Sequence, residues 1–189
     1  MPDYADDETV RDARQCYFDF NGFGDGGYGD AWVKFKVGPI PVAFPNTEGR
    51  VRAVRFHDLH HVLTGYGTSV LGEGEIGAWE VASGCHHHRA AWVLNLIAYG
   101  AALFVGPRTV WRAFVRGRRS GNLYAGEWDE TLLERTLGEL RRDIRVAPTG
   151  VSAEFEDVLA FTGWTALAVL LASGPVMILA GLASLWWSA

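Results

Sequence analysis

Polar and apolar residues alternate in WVKFKV, residues 32–37, and again in RVRAVRF, residues 50–56. A period of two is the signature of a half-buried strand. Pro39, Pro41 and Pro45 punctuate the interval between these runs, so the pattern predicts a small, proline-edged β-ribbon over residues 31–54. Downstream the spacing becomes helical. Helices are expected at residues 55–64, 73–84, 88–105, 108–118, 129–145 and 153–187. In the helix expected at 129–145, Leu133, Leu137, Leu140 and Ile144 form one apolar stripe, and Asp129 stands where an N-cap belongs. Arg141, Arg142 and Arg145 occupy its last turns, where cations suit the helix dipole. Residues 1–30 are polar and end in the glycine-rich run NGFGDGGYGD, which predicts a short helix at most, then a loop.

The C-terminal pattern has another character. After Asp157 the chain contains no Lys, Arg, Asp or Glu. A helix over residues 158–187 would be about 45 Å long, more than the ~30 Å hydrocarbon core of a bilayer. Gly174 and Pro175 fall inside it, so either one membrane helix or a kinked, re-entrant hairpin is expected. Trp186 and Trp187 suit an interfacial belt. The arginines at 141–145 precede the tail, which orients the rest of the chain toward the cytoplasm. A second apolar run, residues 90–105, contains Asn95 and reads as a core helix lining a lipid channel, with a second membrane span as the lesser alternative.

Composition narrows the classes. The 189 residues carry a net charge of −5, which argues against a general nucleic-acid binder. At 49% hydrophobic and 13% aromatic the chain is too apolar for disorder. Two cysteines, Cys16 and Cys85, cannot build a disulfide scaffold and suit a reducing compartment. The charge is unevenly placed: residues 1–30 hold eight acids and two bases, whereas residues 86–119 hold six arginines and no acid. Arg108, Arg112 and Arg116 recur every fourth position, and Arg119 extends the set. With Val110, Trp111, Phe114 and Val115 opposite, they predict an amphipathic basic helix for anionic headgroups or an acidic amphiphile. An ordinary surface helix is the plainer alternative.

The segment HDLHHVLTGYGTSVLGE, residues 57–73, carries the candidate chemistry. On a helix, His61 lies about 40° and Asp58 about 100° from His57, while His60 lies about 60° to the other side. Gly65 is placed to end the helix, and a loop through residues 66–71 would return Glu73 to the histidine face. Two imidazoles with one or two carboxylates make a plausible zinc shell, and the carboxylates also admit manganese or iron. A histidine pair at this spacing also occurs without metal, with Asp58 orienting an imidazole or pairing with Arg55. The metalloprotease pattern H-E-x-x-H fails at Asp58, and the His-Asp phosphohydrolases need further ligands that are not evident. His86, His87 and His88 cannot share one helix face and are expected to form a polar helix start. GFGDGG, residues 22–27, has no helix opening after it and is not read as a nucleotide loop.

His57-Asp58-x-x-His61, Gly65 and Gly72-Glu73, with the flanking LTGYG, resemble the signature of the coenzyme Q biosynthesis protein 4 family: H-D-x-x-H, eleven residues, then Glu. RGRRSGNLYAGEWDETLLERTLGELRRDI is similar to that family's C-terminal arginine-rich turn and closing helix. The similarity covers roughly residues 50–146; the N-terminal region and the tail depart from the eukaryotic members, as in a bacterial branch. The resemblance implies a mostly helical fold, membrane association and a divalent metal, zinc by the family's usual assignment. His57, Asp58, His61 and Glu73 would be the ligands, with Asp58 and Glu73 as candidates for the catalytic base. It also implies a hydrophobic channel for a polyprenylated ring, and removal of the ring carboxylate at C1 coupled to hydroxylation. The implied partners are a polyprenylated quinone precursor, membrane lipids and other quinone-biosynthesis enzymes.

Together these readings predict a mainly α fold. A compact helical domain over residues 31–150 would carry a small β-ribbon, an acidic glycine-rich segment would occupy residues 1–30, and a membrane-anchoring tail residues 151–189. The expected setting is the cytoplasmic face of a bacterial inner membrane. The expected role is a metal-dependent decarboxylase (a lyase) of ubiquinone biosynthesis. A non-catalytic lipid-binding scaffold and a metal-dependent lipid-phosphate hydrolase are the alternatives.

Overall fold

The computed structural model describes the backbone of residues 2–37 and 40–187. It is mainly helical, with the elements α1 (Val10–Asn21), β1 (Trp32–Val37), β2 (Ile40–Pro45), α2 (Glu48–Thr64), α3 (Val70–Ser83), α4 (Arg89–Ala102), α5 (Pro107–Arg118), α6 (Leu137–Asp143) and α7 (Phe155–Trp187). Two short 3-10 turns, Leu123–Ala125 and Glu130–Glu134, lie between α5 and α6. The chain divides into two compact units. The first comprises residues 1–66, 85–91 and 122–146, the second residues 67–84, 92–121 and 147–189. Residues 1–30 belong to the first unit, and the tail belongs to the second.

In the first unit, α1 buries Val10, Ala13, Tyr17 and Phe18, and α2 buries Ala53, Phe56, Leu59, Val62 and Leu63. Leu133, Leu137 and Leu140 complete this core, as their stripe predicts. The β-ribbon is present but narrower than expected. Strands β1 and β2 pair antiparallel, with Trp32 opposite Pro45 and Lys36 opposite Pro41. A two-stranded ribbon has only edges, which is where proline is tolerated. Pro39 lies outside the described residues.

RVRAVRF is not a strand. Thr47 caps α2 by accepting from the Arg50 backbone N–H, and the run lies in the first turns of this helix. Its buried members, Ala53 and Phe56, are three apart and continue into Leu59, so the helical face was concealed by alternating arginines.

The helix expected at 129–145 is also corrected. Asp129 does cap, but it caps the 3-10 turn, accepting from the Thr131 N–H at 3.0 Å. Arg135 is extended, and Thr136 opens α6 with a reciprocal capping box to Glu139. The break lets the N-terminal segment bond across it. The Val10 N–H donates to the Arg135 carbonyl, and the Leu137 N–H donates to the Glu8 carbonyl.

The second unit contains α3, α5, α7 and most of α4. Its core holds Ile76, Trp79, Leu96, Tyr99, Val110, Phe114 and Ala168. Helices α3 and α5 approach closely at Gly117, where an added Cβ would lie 2.4 Å from the Trp79 carbonyl oxygen. Helix α7 seats Phe161 against Tyr99, Trp111 and Phe114, and stacks Trp164 on Trp92. It runs unbroken from Phe155 to Trp187, so a single helix, not a hairpin, forms the tail.

Candidate metal centre

Helix α2 supplies both imidazoles. One turn apart on its face, His57 and His61 bring their Nε2 atoms to 3.1 Å. Their rings are nearly perpendicular, with centroids 4.6 Å apart. The proton on His61 is placed by its other nitrogen. Nδ1 lies 2.9 Å from the Tyr66 carbonyl oxygen, which can only accept, so Nδ1 donates. In the neutral ring the lone pair is then on Nε2, facing His57. Two nitrogen ligands about 2.0–2.1 Å from a tetrahedral ion stand about 3.3 Å apart, close to the separation seen here. Tyr17 stacks on the His61 ring at 5.5 Å and fixes its plane.

The last turn of α2 is held rigidly. Gly65 takes the left-handed conformation expected of a helix stop, with its N–H on the His61 carbonyl. Arg141 of α6 reaches the exposed carbonyls of that turn: Nε donates to Leu63 at 3.1 Å and Nη2 to Val62 at 3.2 Å. Nη1 donates to the Tyr4 carbonyl and pairs with Asp6 at 2.6 Å. Arg141 therefore serves the C-terminus of α2, not only that of its own helix.

Glu73 lies in the first turn of α3. Ser69 caps that helix, accepting from the Gly72 N–H. Gly72 is required sterically, because a Cβ there would lie 2.2 Å from the Gly67 carbonyl oxygen. One ligand atom from each of His57, His61 and Glu73 lies within 4.8 Å of the others, a group that could hold a metal ion. This donor set fits a divalent metal: an imidazole with its proton fixed at Nδ1, a second imidazole facing it, and a carboxylate.

Asp58 is not in this group. Its side chain is buried, and Oδ2 accepts a 2.5 Å hydrogen bond from the Tyr28 hydroxyl. Tyr28 comes from the glycine-rich run discounted in the sequence. Burial and the neighbouring Asp58 carboxylate push its phenol far above the ordinary range, so it remains a donor. His60 faces away, as its helical position predicts, and its Nε2 accepts from the Leu123 N–H at 2.9 Å.

The other candidates separate in the same way. His86 adopts a positive φ, and α4 begins at Arg89, so the triple histidine is the approach to a helix. His88 is buried, with its ring against Phe56 and Tyr124.

The four arginines of the expected basic face do not act alike. Arg108 and Arg112 are exposed. Arg116 is buried, and its Nε donates to the Ala147 carbonyl at 2.7 Å. Arg119 grips the buried Asp157 carboxylate with two bonds, of 3.0 and 2.7 Å. Arg116 and Arg119 therefore tie this helix to the segment entering α7, which removes them from a lipid-facing patch. A spacing of four aligned these arginines, but it did not show that neighbouring chain covers one end of the helix.

One helix among the described residues is long and apolar enough to cross a membrane: Phe155–Ser173, with mean hydropathy 1.5 and little of it buried. The low burial distinguishes it from an interior helix. Comparison with protein-family models, curated proteins and solved structures finds no match to this chain.

Proposed function

We propose that this protein is a membrane-associated, metal-dependent enzyme of ubiquinone biosynthesis that removes the C1 carboxylate of a polyprenylated aromatic acid. The observation that carries the reading is the convergence of His57, His61 and Glu73 within 4.8 Å, in the order and spacing of the signature the sequence resembles. The apolar α7 supports access to a substrate that partitions into lipid. Zinc is the proposed ion, and the cytoplasmic face of a bacterial inner membrane the proposed setting.

A bound divalent ion would act as a Lewis acid on a carboxylate or phenolate oxygen and stabilise charge developing on the ring. The residues supply the rest. His61, oriented by the Tyr66 carbonyl and by Tyr17, presents a fixed lone pair. Glu73 brings a carboxylate that offsets the charge of the ion. When the C1–carboxylate bond breaks, its electron pair stays on the ring carbon, and carbon dioxide leaves. That pair then takes up a proton from solvent, so the decarboxylation balances without an oxidant.

Complementation tests this reading. In a bacterium lacking its own copy, the wild-type chain is expected to restore quinone, and Glu73→Gln is expected to fail at equal protein level. Normal quinone with Glu73→Gln would remove the catalytic role and favour the lipid-presenting scaffold.

A further inference from the structure

Resting on the membrane reading above, we infer that the turn between α4 and α5 dips into the bilayer that α7 enters, with Phe104 and Val105 among the acyl chains and Arg108 and Arg112 on anionic headgroups. All the residues concerned belong to the second unit. Three of its helices give the direction. Along α4, Trp92 stacks on Trp164, whereas at Gly100 an added Cβ would lie 2.4 Å from the Ala168 carbonyl oxygen and 2.9 Å from the Ala172 Cβ. Helix α4 therefore advances alongside α7 toward its C-terminal half. Helix α5 runs back: Trp111 meets Phe161, and Arg119, just past the helix, holds Asp157. The N-terminus of α5 thus lies on the side to which α7 continues. The first turn of α3 is there too, because a Cβ on Gly106 would stand 2.7 Å from Leu71 Cδ1.

The end so formed is apolar and uncovered. Phe104 is 79% exposed, Val105 62% and Val70 64%. Scattered apolar side chains are ordinary on a surface, but a group of them at one end of a unit marks a contact. The charge beside it is of one sign. Arg108 and Arg112 are exposed in the first and second turns of α5, and no acid occurs in residues 86–119. A second copy docked here about a two-fold axis would bring these cations together. Anionic headgroups attract them, whereas hydrocarbon excludes them. That fixes the depth, with the arginines at the headgroups and the turn just beyond. Helix α7 from Ala168 to Trp187 would then be about 30 Å long, the thickness of the hydrocarbon core. Val70 shares its turn of α3 with Glu73, so the lipid surface lies within one helical turn of a proposed metal ligand.

The test places the fluorophore NBD on the full chain reconstituted into vesicles of phosphatidylcholine and phosphatidylglycerol. Cys16→Ser removes the exposed native thiol, and Cys85 is buried. Labels at Phe104→Cys, at Leu179→Cys within α7 and at Ala153→Cys ahead of it are challenged with nitroxide-labelled lipid and with iodide on both faces. The label at 104 is expected to lose most of its emission to nitroxide lipid and little to iodide, as at 179, and the label at 153 to show the reverse. Arg108→Glu combined with Arg112→Glu is expected to remove most of the lipid quenching at 104 and none at 179. Iodide quenching at 104 with lipid quenching at 179 would overturn the inference while leaving α7 in the membrane. Shielding of 104 from both quenchers would also overturn it, because protein, such as a second copy, would then cover the turn. Unchanged lipid quenching at 104 after both charge reversals would remove the role given to the arginines. Absence of lipid quenching at 179 would instead defeat the membrane reading itself.

Discussion

His57 and His61 face each other through their Nε2 atoms at 3.1 Å, while the opposite nitrogen of His61 gives its proton to the Tyr66 carbonyl. The carbonyl is at the end of the same helix, just past the Gly65 stop. One local event, termination of α2, therefore aims an imidazole. Disturbing that termination is expected to disturb the centre, even where no ligand is touched.

Arg141 gives the first prediction. Its guanidinium bonds the last carbonyls of α2 and the Tyr4 carbonyl. Arg141→Met keeps the stem and removes these bonds. Charge-assisted hydrogen bonds contribute about 1.5–3 kcal/mol each way to such a balance, so a loss of about 2 kcal/mol is expected. Denaturant unfolding followed by circular dichroism measures it. A change below about 0.5 kcal/mol would show that the bonds to α2 contribute little.

Gly72 gives the second. Gly72→Ala forces a Cβ toward the Gly67 carbonyl oxygen, 2.2 Å away in the present geometry. Overpacking of this kind costs about 1–3 kcal/mol. Because Glu73 is the next residue, weaker metal binding is expected to accompany the loss of stability. Isothermal titration with zinc, run beside the unfolding curve, separates the two effects. Gly72→Ala with wild-type values in both would contradict the close approach.

His88 makes stability depend on pH. Burial, then the neighbouring His87, Arg52, His86 and His60, hold its imidazole below the usual histidine range. The unfolded chain takes up a proton near pH 6.5, and the folded chain only at lower pH. Stability is therefore full above about 6.5 and falls as pH drops from there toward the folded pKa. Melting temperatures of metal-free protein between pH 5 and 7.5 are expected to fall less steeply in His88→Phe than in wild type. Parallel curves would assign the slope to other groups.

Much of this was legible in the sequence, and the failures have physical causes. The pair His57 and His61, the Gly65 stop and the turned-away His60 follow from helical angles over a few residues, where geometry is nearly fixed. The Leu133, Leu137 and Leu140 stripe named the buried side chains correctly, but not the break at Arg135. That break is made by bonds to Glu8 and Val10, more than a hundred positions earlier. Tyr28 was invisible for the same reason: nothing local in a glycine-rich loop announces a partner 30 residues away. RVRAVRF misled because alternation over seven residues satisfies both periods, and a Thr47 cap decided between them.

The tail predicts an operational property. Residues Phe155–Ser173 are apolar and largely uncovered. Protein expressed in bacteria is expected to remain in the membrane pellet through an alkaline carbonate wash, which strips peripheral proteins. Release into the supernatant would contradict a spanning role for α7.

The central claim is that His57, His61 and Glu73 hold one divalent ion. Its most direct measurement is the metal content of purified protein, by inductively coupled plasma mass spectrometry, for wild type, His57→Ala and Glu73→Gln. Outer partners of a metal ligand alter affinity by about 10–100-fold, and removing a ligand itself is expected to cost at least that much. The account predicts about one zinc or other divalent transition ion per wild-type chain and a small fraction of that in both variants. Equal metal content in all three proteins, or a folded wild type that stays empty after incubation with zinc, would contradict it.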